Sequence, residues 1–265
     1  MTLAVPGFLI AGRTPEINDM AKKSGVERVK SYLKSDEGAS ILPKVAKTAM
    51  DLVAEMARDS GHQRASKSLR KIAKGFGATT KGLFYAAWYV GTIELVEQSS
   101  KVMKEGVRDG KFVELIRRCF KWASTSTESI LPFFFPSYST PLKNIQIVTD
   151  LASDSIGAYQ AGEGWAKADY ELNRASAQSD ISPEVQEHLK AERGLHLLSL
   201  VKSVLSAVAG IFGVLGLVLG FAIVPSVVLL TISLATYSLS IVKHFYKENM
   251  TYKPLSDWKI AAPAA

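Results

Sequence analysis

The residue types that most often carry chemistry are few in this chain and poorly spaced for it. Its four histidines, His62, His188, His196 and His244, have neither a cysteine nor another histidine at ligand spacing, and a zinc site needs three or four such groups to converge. His188 and Glu192, one helical turn apart, read as a surface pair. Cys119 is the only cysteine, so no intrachain disulfide forms, and it reads as a small apolar residue in a helix. No Gly-x-Ser-x-Gly elbow and no His-Glu-x-x-His occurs. The carboxylates of the polar segments alternate with Lys and Arg, as on a solvated helix face. The chain therefore reads as a non-enzyme with no catalytic, cofactor-binding or metal-ligating residues.

Glycines at Gly75, Gly77 and Gly82 invite a phosphate-loop reading, which the neighbouring residues refuse. Thr80 stands where the second glycine of a Walker loop belongs, and Gly82 follows Lys81 where a hydroxyl would hold magnesium. A dinucleotide fingerprint needs a preceding strand, and nothing before Gly75 reads as one. The same region offers a different chemistry. Arg64, Lys67, Arg70, Lys71 and Lys74 come without an intervening acid and lead into Phe84, Tyr85, Trp88 and Tyr89. A basic cluster followed by Trp and Tyr suits an anionic headgroup layer; a core helix behind a solvated basic face fits equally well. Lys81 and Glu94 leave too few uncharged residues between them for a span.

The elements that must hold any site are organised around Ser203 to Val242, forty residues without a charged side chain. One helix of that length would measure about 60 Å, twice the hydrocarbon thickness of a bilayer, so the run reads as two spans. Pro225 near its middle marks the bend. In the first arm Gly210, Gly213, Gly216 and Gly220 make a small-residue stripe; in the second, Ser226, Ser233, Thr236 and Ser240 make a hydroxyl stripe. The two are expected to face each other, leaving Leu, Ile, Val and Phe for lipid. Lys202 on one flank and Lys243 and Lys247 on the other place both ends on the cytosolic side.

A mean hydropathy of +0.10 and 22% charged residues suit one membrane module joined to a polar part. The net charge of +7 sits in the N-terminal half, and anionic lipid is its expected partner. No zinc-finger spacing or aromatic RNP-like box appears, so nucleic acid is not expected. Met1 to Gly12 is apolar, yet its first positive charge comes only at Arg13, so a cleaved secretory signal is not expected.

Between these ends the chain reads as helices. Thr14-Pro15, Thr140-Pro141 and Ser182-Pro183 have the cap-and-proline form of helix starts. A further helix is expected to open at Pro43 after a loop from Ser35 to Gly38, with Val45, Ala49, Leu52, Val53 and Met56 on its apolar face. The helix from Thr140 is expected to bury Ile145, Val148, Ala152, Ile156 and Tyr159. Phe133, Phe134 and Phe135, held between Pro132 and Pro136, either plug the bundle or dip into a membrane, and the plug is the expectation. No period-two strand is evident. The fold class is all-α: residues 1–13 an apolar segment with a possible export signal, 14–194 a basic helical domain, 195–246 a two-helix membrane hairpin, and 247–265 a short cytosolic tail.

Two apolar lobes around a short turn, especially Ala209-Gly210-Ile211-Phe212-Gly213-Val214-Leu215-Gly216 and Pro225-Ser226-Val227-Val228-Leu229-Leu230, resemble the inclusion membrane (Inc) proteins of chlamydiae. That resemblance covers about a fifth of the chain. It implies delivery by type III secretion, with Met1 to Gly12 part of the export signal, and residence in the host vacuole membrane as an effector that meets host proteins. Read from the residues, the chain is a hairpin-anchored integral membrane protein presenting a helical domain to the cytosol. Its partners would be membrane lipid, a protein of unknown identity and, in a homo-oligomer, further copies of itself. The alternative is a pore-forming or membrane-remodelling protein that stores the hairpin in a soluble bundle, as pore-forming colicin domains do.

Overall fold

A computed structural model describes residues 36–106, 110–177, 183–221 and 224–249. The apolar segment 1–13, the helix start at Thr14-Pro15 and the tail from 250 lie outside the described residues, as do the side chains of residues 77–87. Among the described residues every regular element is helical. They are α1 (Asp36–Asp59), α2 (Gln63–Glu105), α3 (Lys111–Thr125), a π turn (Ser126–Ile130), α4 (Leu131–Phe134), a 3-10 turn (Pro136–Tyr138), α5 (Ser139–Ser176), α6 (Pro183–Leu219) and α7 (Ser226–Asn249).

Gly61 and Gly106 take positive φ just past the ends of α1 and α2, and Gly110 does so immediately before α3, a backbone conformation that costs a glycine nothing. At the hairpin bend Gly220 does the same, and Pro225 precedes the first turn of α7. α1 begins seven residues before the expected start, so Pro43 lies inside it. There it costs the helix one backbone hydrogen bond. The face expected on α1 is only partly used, since Val53 and Met56 are exposed.

α5 and α6 form the most extensive helix pair. They run antiparallel along their whole length, with Leu172 and Ala175 against Val185 and Leu189 at one end and Ile147 and Leu151 against Gly213 and Gly210 toward the other. α3 packs on α5, α2 on α3, α1 on both α2 and α7, and α7 returns along α6. Alanines at 54, 73, 161, 168 and 175 are buried, and such small side chains let the helix axes approach closely.

The glycine stripe of α6 does not serve α7 in the way the sequence suggests. A Cβ added at Gly213 would meet Ile147 Cγ2 at 2.9 Å, and one at Gly210 would meet Leu151 Cβ at 3.0 Å. α5 carries branched side chains that need notches, and α6 supplies them. Ser233, Thr236 and Ser240 of α7 turn instead toward a shared cavity. Nor does α5 bury the expected face, because Ile145, Val148 and Tyr159 are exposed. Its inward side carries Leu142, Ser153, Ala161 and Ala168.

Gly210→Val and Gly213→Val are expected to lower the melting temperature by overfilling the α5–α6 contact, at a cost of about 1–3 kcal/mol each. Gly91→Ala, in open space within α2, is expected to be neutral or stabilising by up to about 1 kcal/mol. Thermal unfolding in mild detergent reads both; a Gly213→Val protein as stable as the parent would contradict the notch.

Candidate functional site

The hairpin is built from two helices of unlike surroundings on opposite faces. Val185–Leu219 and Ser226–Lys247 are long and apolar enough to cross a membrane. A core helix of a soluble protein is mostly buried. Here none of the most apolar window of the first helix is buried, and only 11% of that of the second. On α6, Leu197, Val201, Val204, Ile211, Leu215 and Val218 are all exposed, and their spacing of three, four and seven residues puts them on one stripe. Leu217, Leu219 and Phe221 extend the exposure at the tip. Val228 and Val242 are exposed on α7, with Thr231, Ala235 and Ser238 exposed at helical spacing between them.

Behind the hairpin lies a cavity of about 710 Å³ with a mixed polar and apolar lining, bounded by α1, α2, α3, α5, α6 and α7. Gly210 and Gly213 of the first arm and Ser233, Thr236 and Ser240 of the second all border it, with Ser206 and Tyr237. Thr236 and Ser240 are buried there, and their hydroxyls donate to the carbonyls of Ile232 and Thr236, four residues back along α7. Gly216, Gly220 and Pro225 stand outside the cavity lining, and Ser226 is exposed.

Charged groups collect in the same cavity. Lys44 of α1, Glu128 of the π turn, Asp150 and Asp154 of α5, Lys121 of α3 and Lys202 of α6 line it. Ser124 donates a hydrogen bond to Asp150. Burial pushes the carboxyls of Glu128 and Asp150 above the usual range, and it lowers Lys44 below the ordinary lysine value, against the pull of Glu128 and Asp150. Asp154 is raised to about 6, first by burial and then by the charge of Asp150, while Lys202, the Ser206 hydroxyl and Lys121 draw it down.

Polar side chains of α2 and α3, among them Trp88, Glu94, Arg118 and Trp122, line the other side of the cavity. Trp88 Nε1 donates to Ser126 Oγ at 2.9 Å and Trp122 Nε1 to Thr92 Oγ1 at 2.8 Å, and the two indoles lie 6.3 Å apart between centroids. Arg118 bridges Glu94 and Glu114, at 2.9 and 2.7 Å. Burial alone would raise Glu114, but hydrogen bonds from Arg117 and Arg118 leave its carboxyl below the ordinary value.

The basic and aromatic residues named from the sequence separate in the structure. Arg64, Lys67, Arg70, Lys71 and Lys74 are exposed on the first half of α2, and Arg70 also reaches Glu55 of α1 at 2.6 Å. Tyr89 is 63% exposed. Trp88 turns inward to the cavity and Trp122, because its indole N–H finds a hydroxyl partner there, so it is not a lipid-facing residue in this arrangement. The phenylalanine plug is likewise absent: Phe133, Phe134 and Phe135 are 72%, 66% and 51% exposed. Two prolines and a π turn force the chain to reverse there, which carries the rings away from the core. Glu192 lies 4.0 Å from His196, one turn further along α6. Cys119 is exposed. Among the described residues no three His, Cys, Asp or Glu side chains converge as a metal site.

Comparison with family models, with curated proteins and with solved structures finds no match for this chain.

The charged cavity was the part missed from sequence. Asp150 and Asp154 are one turn apart on the side of α5 that also bears Ile147 and Leu151, a mixed face that apolar periodicity does not report.

Because Asp154 holds its proton more tightly folded than unfolded, its contribution to stability falls as pH rises from near 4 through about 6 and is level above that. The loss is about 3 kcal/mol at most. Unfolding measured between pH 4 and 7.5 is expected to show a shallower fall for Asp154→Asn and a more stable variant at pH 7.5; identical slopes for parent and variant would contradict the burial of this carboxyl.

Proposed function

We propose that this chain is a hairpin-anchored membrane protein, in which α6 and α7 enter the bilayer and the helices before them act on its cytosolic side. The observation that carries the reading is the outward stripe of α6, whose apolar side chains stay uncovered while the opposite side of the helix is packed. Lipid is the surrounding that removes such a surface from water at no cost in partner specificity. The exposed cations of α2 supply attraction to anionic headgroups, worth about 1 kcal/mol per residue near a charged surface. The resemblance to inclusion membrane proteins extends the reading to a type III secreted effector in a host vacuole membrane, recruiting a host protein through its helical domain.

A second reading has its own observation. α5 and α1 cover the inner faces of the hairpin, and α5 brings Asp150 and Asp154 to α6. Charges in that position are costly within hydrocarbon. The packed arrangement is then the state before full insertion, and the protein is a pore-former or remodeller that stores its hairpin in a bundle.

Membrane fractionation separates the anchored protein from a soluble one. The full chain is expected to pellet with membranes, to resist carbonate and to need detergent for extraction; a chain that stays soluble without detergent, or that carbonate strips, would overturn the anchor. Ile211→Arg places a charge on the stripe without disturbing a packed side chain, and its cost of about 2.5–3.5 kcal/mol near a span centre should shift protein to the soluble fraction. Leakage of dye from anionic liposomes marks the second reading, and its absence at neutral and acid pH would end it.

A further inference from the structure

The exposed phenylalanine corner and the hairpin bend belong to different parts of the sequence, yet the helix pairing brings them to one end of the molecule. Gly213 lies opposite Ile147 and Gly210 opposite Leu151. Continued along the antiparallel pair, Leu219 and Pro141, each six residues further on, fall at one level about 9 Å beyond that contact, and past Gly220 the chain folds back so that the Phe221 carbonyl approaches Gly216. α3 approaches the same end, because Arg117 lies near Gly157 and Ser124 binds Asp150 further along α5. The π turn, α4 and the 3-10 turn then cross to the start of α5. Two apolar protrusions therefore stand together, the corner with Phe133, Phe134 and Phe135 and the bend with Leu219 and Phe221.

We propose that this end is a membrane-docking surface, on which the phenylalanine corner enters the bilayer interface beside the hairpin bend. The proposal rests on the second reading above, in which the packed bundle meets the bilayer before its hairpin inserts, and adds a second contact element to it. The shape and the charge both choose lipid. A partner helix needs a groove or a flat stripe with spaced anchors, whereas these elements are a chain reversal and a helical bend, and hydrocarbon conforms to any convex shape. No acid occurs between Ser129 and Thr149, or between Arg193 and Lys247, so neither protrusion brings a carboxylate toward an anionic surface. Lys143, exposed on the second turn of α5, is the cation nearest the corner in sequence, and its ammonium suits a phosphate headgroup. Aromatic side chains are favoured at this depth of a bilayer.

The test uses the full chain with Cys119→Ser and single cysteines Phe134→Cys, Leu219→Cys and Tyr170→Cys, each labelled with an environment-sensitive NBD dye. Tyr170 is exposed and lies toward the opposite end of α5. With vesicles of phosphatidylcholine and phosphatidylglycerol, dye at 134 and at 219 is expected to shift to the blue and to be quenched by shallow nitroxide lipids, and dye at 170 is not. Replacing Phe133, Phe134 and Phe135 together with Ser is expected to weaken vesicle binding at least about tenfold. Blue-shifted dye at 219 with unchanged dye at 134 overturns the corner and leaves the hairpin anchor standing. No response at either site, with protein that floats free of vesicles, overturns both. A response at 134 that appears without lipid and grows with protein concentration assigns the corner to a second copy of the chain and overturns the proposal.

Discussion

Side chains of α5 seated in the glycine notches of α6 set the rest of the arrangement. Ile147 against Gly213 and Leu151 against Gly210 bring two helix backbones close together, and that closeness fixes which side of α6 faces inward. Once the glycine side is taken, the side bearing Val204, Ile211, Leu215 and Val218 must face out. α7 returns along α6, so its hydroxyls meet the cavity and not the notches. The hairpin is thus two-sided, with close packing and charge within and bare hydrocarbon without.

The cavity explains why such a packed state need not be deeply stable. Burying Glu128, Asp150, Asp154 and Lys44 together costs desolvation, and ion pairs in that setting return it only in part. Raised carboxyls and a lowered lysine are the signature of that cost. The penalty rests on the same α5–α6 contact that the glycine notches hold closed. A small gain elsewhere, such as lipid on the outer stripe, can then compete with the packed bundle.

The all-α fold, the bend at Gly220 to Pro225 and the helix starts near Thr140 and Pro183 were legible from sequence, because uncharged length, proline and glycine act locally. Which neighbour fills a glycine stripe was not legible, since Gly210 and Gly213 offer the same notch to α5 or to α7. The expected face of α5 failed for a related reason. Ile145, Val148 and Tyr159 follow the helical period, but the helix turns Asp150 and Asp154 inward with Ile147 and Leu151, and small residues such as Ala161 and Ala168 serve close approach better than large ones. Hydrophobicity alone makes Phe133 to Phe135 a plug; their place in a reversal between two prolines directs them outward. For the candidate site, the hairpin was visible in outline, whereas the separation of Trp88 from Tyr89 needed the hydrogen bond to Ser126.

A spin-label scan tests the two-sided hairpin most directly. Nitroxides placed singly from Val201 to Leu219, in a Cys119→Ser chain reconstituted in vesicles, report collisions with lipid-soluble oxygen and with an aqueous nickel chelate. Oxygen collisions are expected to peak at Val204, Ile211, Leu215 and Val218 and to fall at Lys202, Ser206 and Ala209, which line the cavity. Uniform access of the nickel chelate along that stretch, with no helical period in either reagent, would contradict a lipid-facing stripe.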